Sequence, residues 1–93
     1  MAVVSQNVVA ECFWPDVRDQ DMHELDERIR ASAAGREDVR YLGSLLIRSD
    51  DVVLCRFEGT LAAVRALAEH ARIPFERLLE TTTLVQEGSS DGA

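Results

Sequence analysis

Glu11 is the residue whose setting most suggests chemistry, because it is a carboxylate inside an apolar run, residues 8–14. An unpaired carboxylate in such surroundings is costly. The side chain is therefore either a ligand or metal contact, or one half of an ion pair. Arg56 lies on a strand predicted to be adjacent, and we favour an ion pair between these two residues because buried charges are usually paired.

The cysteines and one histidine offer softer ligands. Cys12 and Cys55 fall on the same two predicted strands and could form a soft-metal site or a redox pair. The sequence contains no CxxC motif, so we favour packing of both thiols as small hydrophobic side chains.

His23 and Glu27 are one helical turn apart and suit nickel, zinc or cobalt. Such pairs are common on solvated helices, and we favour that interpretation.

Recognisable catalytic motifs are missing from the sequence. Ten arginines and no lysine exclude Schiff-base chemistry and a P-loop lysine. No G-x-S-x-G motif or glycine-rich phosphate loop occurs, and Ser44 has no histidine at a predictable position to activate it. Many carboxylates are available for acid–base work, but spacing alone singles out no pair. The formal net charge of −7 disfavours nucleic acids and anionic membranes as partners.

Two predicted helices must position these residues. Apolar residues recur at three- and four-residue spacing in residues 16–34, which predicts a helix with one buried face. We expect Asp21 and Glu24 to form a capping box at its start. On its surface we expect two ion pairs, Glu24 with Arg28 and Asp26 with Arg30. A second helix follows a suitable capping threonine at position 60.

Four β-rich runs surround the helices, at residues 6–14, 39–48, 52–58 and 76–85. The order βαββαβ is the split βαβ arrangement of ferredoxin-like folds. The sequence therefore predicts an α+β protein with a four-stranded antiparallel sheet and two helices on one face. Residues 1–86 are predicted to form a single domain, and residues 87–93 a flexible C-terminal tail.

The predicted hairpin of the second and third strands is apolar on both faces. A two-residue turn at Asp50 and Asp51 would pair Ser49 with Val52. One face would carry Leu42, Ser44, Leu46, Val53, Cys55 and Phe57. The other would carry Tyr41, Leu45, Ile47, Val52, Leu54, Arg56 and Glu58. A half-solvated sheet should alternate between apolar and polar residues, so an apolar open face indicates a partner, and we expect a homodimer through this face.

Targeting signals are not evident in the sequence. The N-terminus lacks a basic region followed by a long apolar core, and no apolar run approaches the roughly 20 residues of a membrane helix. Two cysteines are too few for a disulfide-stapled secreted domain. We therefore expect a cytoplasmic protein with reduced thiols and no membrane partner.

Four short segments carry a resemblance to a known family: residues 9–15, 39–44, 54–57 and 72–75. Over about residues 8–85 the chain resembles a family of small bacterial domains of unknown function that includes a streptomycete nickel-binding protein. The resemblance implies a ferredoxin-like fold, dimerisation through the sheets and binding of a divalent metal. The positions that match its motifs are Glu11, Trp14, Pro15, Ser44, Cys55, Phe57 and Pro74.

Three functions from different classes follow. The first is a small dimeric binding protein for a divalent metal such as nickel, and no other cofactor is expected. The second is a cofactor-independent dimeric enzyme, of monooxygenase or cyclase type, acting on a small organic substrate. The third is an interaction module without chemistry. The predicted ligand-binding residues are Glu11, Tyr41, Ser44 and Arg56. The predicted metal ligands are Glu11, His23 and Cys55.

Overall fold

Strands and helices follow one another in the predicted order in the computed structural model, which describes residues 2–86 and the side chains of residues 7–82. The elements are β1 (Ala2–Phe13), α1 (Asp19–Ala33), β2 (Val39–Ile47), β3 (Val52–Gly59), α2 (Leu61–His70) and β4 (Arg77–Gln86). The sheet order is β2-β3-β1-β4, and every neighbouring pair is antiparallel. The predicted α+β ferredoxin-like fold is confirmed. The tail predicted at residues 87–93 lies outside the described residues.

The core lies between the two helices and one face of the sheet. Alternate residues of the two central strands are buried there, as the twofold period of a strand requires. The helices contribute residues three or four positions apart. The main buried side chains are Val8, Ala10, Cys12, Val53, Cys55, Phe57, Leu25, Ile29, Val64 and Leu67. Both helices therefore cover the same face of the sheet.

The start of α1 differs in detail from the expected capping box. Arg18 is the N-cap residue. Its backbone N–H donates a hydrogen bond at 2.9 Å to the side chain of Asp21, three positions later. Asp21 is thus the third helical residue and not the cap, so the predicted box with Glu24 is wrong. Further along the helix, Asp26 accepts a hydrogen bond from Arg30 Nε at 2.7 Å, which confirms that predicted pair. The predicted Glu24–Arg28 pair is wrong, because Glu24 accepts from Gln20 Nε2 at 3.2 Å and Arg28 donates to backbone carbonyls.

The C-terminal end of α2 is tied to α1 by one long side chain. Arg28 donates from Nε to the carbonyl of Ala71 at 3.1 Å and from Nη2 to that of Arg72 at 3.2 Å. These bonds satisfy carbonyls that a helix leaves open at its end. At the other end of α2, Thr60 Oγ1 accepts the N–H of Ala63 as predicted. Within residues 2–86, no helix has the length and apolar content needed to span a membrane.

The β2–β3 hairpin has a longer connection than expected. Ile47, and not Ser49, lies opposite Val52. The predicted two-residue turn is wrong because Arg48–Asp50 form a turn of 3-10 helix that removes them from the ladder. The pairing moves by two residues, and an even shift leaves the facing of side chains unchanged. Leu45 and Ile47 therefore stay on the predicted face.

A β-bulge in β2 changes the facing of Tyr41. Tyr41 lies opposite Phe57 and Gly43 lies opposite Arg56, so Leu42 is one residue more than the partner strand can match. Gly43 has φ of +107°, a conformation that glycine adopts at little cost. The extra residue turns Tyr41 toward the core, where its ring lies 5.4 Å from that of Phe57. The predicted placement of Tyr41 with Leu45 and Ile47 is therefore wrong.

The sheet face opposite the core is not covered by any described residue. Three neighbouring strands contribute apolar side chains to it, namely Val9, Phe13, Leu45, Ile47, Val52 and Leu54. Phe13 is 57% exposed, Leu45 50% and Ile47 38%. We call this surface the open face. Its apolar character agrees with the sequence of the hairpin, in which apolar and polar residues do not alternate.

Candidate functional site

Tyr41 is the centre of a small polar cluster where α1 crosses β2. Its hydroxyl donates to Asp26 Oδ1 at 2.9 Å and lies 2.6 Å from Ser44 Oγ. Arg30, one helical turn after Asp26, places its guanidinium 5.3 Å from the centre of the Tyr41 ring. The bulge of β2 makes this arrangement, because it directs Tyr41 and Ser44 to the same side of the strand.

The charges of this cluster are arranged to keep the tyrosine neutral. Burial raises the pKa of Tyr41, and the neighbouring Asp26 carboxylate raises it further. Partial burial of Asp26 opposes its ionisation, but hydrogen bonds from Arg30 and Tyr41 outweigh that cost and lower the pKa of Asp26. At neutral pH the cluster is therefore an ionised aspartate held by an arginine and a neutral tyrosine. Such a tyrosine is a hydrogen-bond donor and not a base.

The thiols extend the cluster into the core. Cys12 and Cys55 are both fully buried and unoxidised, on the core face of adjacent strands. A hydrogen bond from Cys12 lowers the pKa of the Cys55 thiol. The same contact with Cys55, together with burial, raises the pKa of Cys12. The two thiols therefore titrate as a coupled pair, in which ionisation of one makes ionisation of the other harder.

An open cavity of about 260 Å³ adjoins the tyrosine, between the end of α1 and β2. Its lining residues are Arg30, Ala33, Ala34, Arg36, Val39, Arg40 and Tyr41. Sequence reasoning identified Tyr41 as a ligand-binding residue but missed the three arginines. Arginine is the only strong base in a chain of net charge −7. The sequence shows how many arginines the chain has, but the meeting of three of them at one cavity depends on the turn between α1 and β2.

The four predicted ligand-binding residues divide into two pairs. Tyr41 and Ser44 lie together at the cluster just described. Glu11 and Arg56 lie on the opposite side of the sheet, on the open face. Glu11 is hydrogen-bonded to Arg77 Nε at 2.5 Å. The predicted Glu11–Arg56 ion pair is therefore wrong, because Arg77 lies directly opposite Glu11 on β4.

The three predicted metal ligands lie in three different places. Glu11 is on the open face, and Cys55 is buried on the core face. His23 is on the exposed side of α1, where its Nε2 lies 3.3 Å from Glu27 Oε2. In the described part of the chain, no three histidine, cysteine or acidic side chains are grouped as a metal site requires.

The fold and its open face define an α+β ferredoxin-like domain. The crystal structure of SCO4226 from Streptomyces coelicolor A3(2) has the same arrangement, with a TM-score of 0.69 and 17% sequence identity. The superposition covers 81% of this chain and 94% of that one. At this identity the likeness establishes the fold alone. By sequence, the chain matches no protein-family model and no curated protein.

Proposed function

We propose that this chain is a small homodimeric binding protein whose two copies associate through the open face. The observation that carries the proposal is the exposure of Phe13, Leu45 and Ile47 on one surface of the sheet. Contiguous apolar patches on small soluble domains mark interaction sites. In a dimer with a twofold axis, the open face of one copy would pack against the open face of the other, and both apolar patches would be buried. The family resemblance described above also favours dimerisation through the sheets.

The charged residues around the open face favour a second copy as the partner. The chain has a net charge of −7, so two copies repel each other over most of their surfaces. The open face is different, since Glu11 is neutralised by Arg77 and Arg56 adds a positive charge. The excess of acid is therefore not on the surface that would be buried. A standard interface buries about 1,600 Å² in total.

Sedimentation equilibrium at micromolar concentration tests the dimer. The wild type should give about twice the chain mass of 10.3 kDa. Leu45→Glu places a charge on the open face and should give a monomer. Ala31→Glu is the matched control, because it adds the same charge at an exposed position on α1. A monomeric wild type, or a Leu45→Glu variant that remains dimeric, would contradict the proposal.

A divalent cation such as nickel is the ligand that the family resemblance favours for the dimer. His23 and Glu27 are exposed and already in contact, and an imidazole with a carboxylate suits nickel. Water would supply the remaining ligands, because α1 lies on the side of the sheet away from the open face. Calorimetric titration of metal-free protein with Ni²⁺ should show binding that His23→Asn abolishes and His70→Asn retains. Equal binding by both variants, or none by the wild type, would exclude this ligand.

An enzyme acting on a small organic substrate is the second candidate function. What favours it is the neutral Tyr41 beside Asp26 at the edge of an open cavity. A native mass spectrum of the protein as isolated separates the candidates. A retained metal supports the first function, and a retained organic molecule supports the second. A dimer that retains neither supports an interaction module without chemistry.

A further inference from the structure

We propose that the cavity between the end of α1 and β2 binds a small organic carboxylate with an apolar body, held by Arg30, Arg36 and Arg40. This ligand is distinct from the divalent cation considered above, and the site does not depend on dimerisation. All three arginines line one cavity of about 260 Å³, and the described residues that line it include no carboxylate.

Each arginine is held by an acidic partner that leaves donors for a ligand. Arg30 uses Nε to bind Asp26, and Arg36 uses Nε and Nη2 to bind both oxygens of Asp38 at 2.9 and 2.8 Å. A guanidinium has five N–H donors in a fixed plane. The ion pairs therefore orient the two groups without exhausting them, and orientation before binding lowers the entropic cost of association.

Arg40 is the most loosely held of the three. Its Nε lies 3.7 Å from Glu58 Oε1, which is beyond hydrogen-bond distance, and its side chain is 76% exposed. It can therefore turn toward a carboxylate at little cost. Arg36 is the opposite case, with a side chain only 29% exposed and a bidentate partner. Arg36 is thus the fixed element of the site and Arg40 the adjustable one.

Small apolar groups form the rest of the lining. Ala33 and Ala34 end α1, and Val39 begins β2 beside the ring of Tyr41. An inorganic anion would leave this surface uncovered, whereas a short hydrocarbon or aromatic body would bury it. The volume lies just below the roughly 300–1,000 Å³ that is usual for ligand pockets. The ligand is therefore a small acid.

Acidic residues confine the carboxylate to one side of the site. A neighbouring cavity of about 420 Å³ shares Arg36, Val39 and Arg40, but it is also lined by Glu37, Asp38 and Glu58. An anion is repelled from that side, whereas the acid nearest Arg30, Asp26, lies outside the lining and is already paired with that guanidinium. The ligand's carboxylate is thus expected between Arg30 and Arg36.

Titration with benzoate, followed by backbone amide shifts in ¹H–¹⁵N spectra, tests the proposal on the whole chain. The amides that shift should be those of residues 30–41. Benzamide has the same shape without the charge, and inorganic phosphate has the charge without the apolar body. Each should bind at least about tenfold more weakly than benzoate, because each loses one of the two kinds of contact.

Arg36→Gln should weaken benzoate binding by about tenfold or more, since a bidentate charged contact is lost. Arg40→Gln, on the exposed side of the site, gives a second test that carries less risk to the fold. Arg65→Gln, on the exposed side of α2, is the control and should bind benzoate as the wild type does. Equal affinity for benzamide or phosphate, or wild-type affinity in both Arg36→Gln and Arg40→Gln, would overturn the proposal.

Discussion

The hydroxyl oxygens of Tyr41 and Ser44 lie 2.6 Å apart on the same strand. Tyr41 has a single hydroxyl proton, and it donates that proton to Asp26. Ser44 must therefore donate its own hydroxyl proton to Tyr41. The hydrogen bonds therefore run in one direction, from Ser44 through the Tyr41 hydroxyl to the ionised Asp26 carboxylate on α1.

Replacing Tyr41 with phenylalanine should test this order. Tyr41→Phe removes the donor to Asp26, so the pKa of Asp26 should rise toward its ordinary value, as measured by NMR titration. The free energy of unfolding in urea should fall by about 1.5–3 kcal/mol, the usual contribution of a hydrogen bond to a charged group. Ser44→Ala is the control, because it leaves the Tyr41–Asp26 bond in place. An Asp26 pKa that is unchanged in Tyr41→Phe would contradict the assignment.

The stability of the chain should depend on pH through its aspartates. Hydrogen bonds from arginines lower the pKa values of Asp21 and Asp38, and hydrogen bonds from Arg30 and Tyr41 outweigh burial in lowering that of Asp26. A carboxyl group with a lowered folded-state pKa stabilises the protein above its unfolded pKa of about 3.9. That contribution is lost as the pH falls through the folded value. Urea unfolding should therefore show constant stability above about pH 5 and a decline below about pH 4.

Asp26→Asn isolates one part of that dependence. The variant should lose less stability than the wild type between neutral and acidic pH, because a group that cannot ionise contributes no pH-linked term. Its stability at pH 7 should already be lower, since Arg30 and Tyr41 lose an ionised partner. A variant with the same decline below pH 4 as the wild type would show that Asp26 is not one of the responsible groups.

Both cysteines should resist modification in the folded protein. Cys12 and Cys55 have no exposed surface, and a thiol reagent must reach the sulfur whatever its pKa. Labelling with a chromogenic disulfide reagent should be slow in buffer and rapid in denaturant, with two thiols released in total. Fast labelling of Cys55 in the native state would show that the core opens at this point and would support a reactive thiol.

Glu11→Gln should lower stability only slightly. The partner Arg77 has a side chain that is 64% exposed, and ion pairs at such positions contribute about 1 kcal/mol or less. Urea unfolding measures the change, with Glu80→Gln as a control that removes one negative charge from an exposed position on β4. A loss of several kcal/mol in Glu11→Gln alone would show that the carboxylate is far less solvated than its position on the open face indicates.

The difference between Glu11 and Tyr41 shows what sequence patterns can predict here. The order of elements, the buried faces of the helices and the apolar character of the open face follow from the spacing of apolar residues. An ion pair for Glu11 was also predictable, because a carboxylate among apolar residues requires one. The partner of Glu11 could not be predicted, because Arg56 and Arg77 lie on the two strands that flank β1. Only the pairing register of those strands decides which arginine lies opposite Glu11.

The candidate site was less accessible to sequence reasoning. Tyr41 and Leu42 are both bulky and apolar, so neither pattern nor composition shows which of them faces the core. Gly43 was the only sign of a bulge, and an isolated glycine in a strand is a weak one. The arginine cavity depends on the same feature, because the bulge sets where Tyr41 lies relative to the end of α1.

The bulge also restricts how the gene for this chain can change. Substitution of Leu42 alters one side chain, but deletion of a single residue at positions 41–43 would restore strict alternation in β2. Every residue on the N-terminal side of the deletion would then change faces, moving the hydroxyl that binds Asp26 from the core to the open face. Homologous sequences should therefore vary in residue type along this strand while keeping its number of residues constant. A gap in this strand in an alignment would mark a protein that has lost the tyrosine cluster, even where a tyrosine remains at the aligned position.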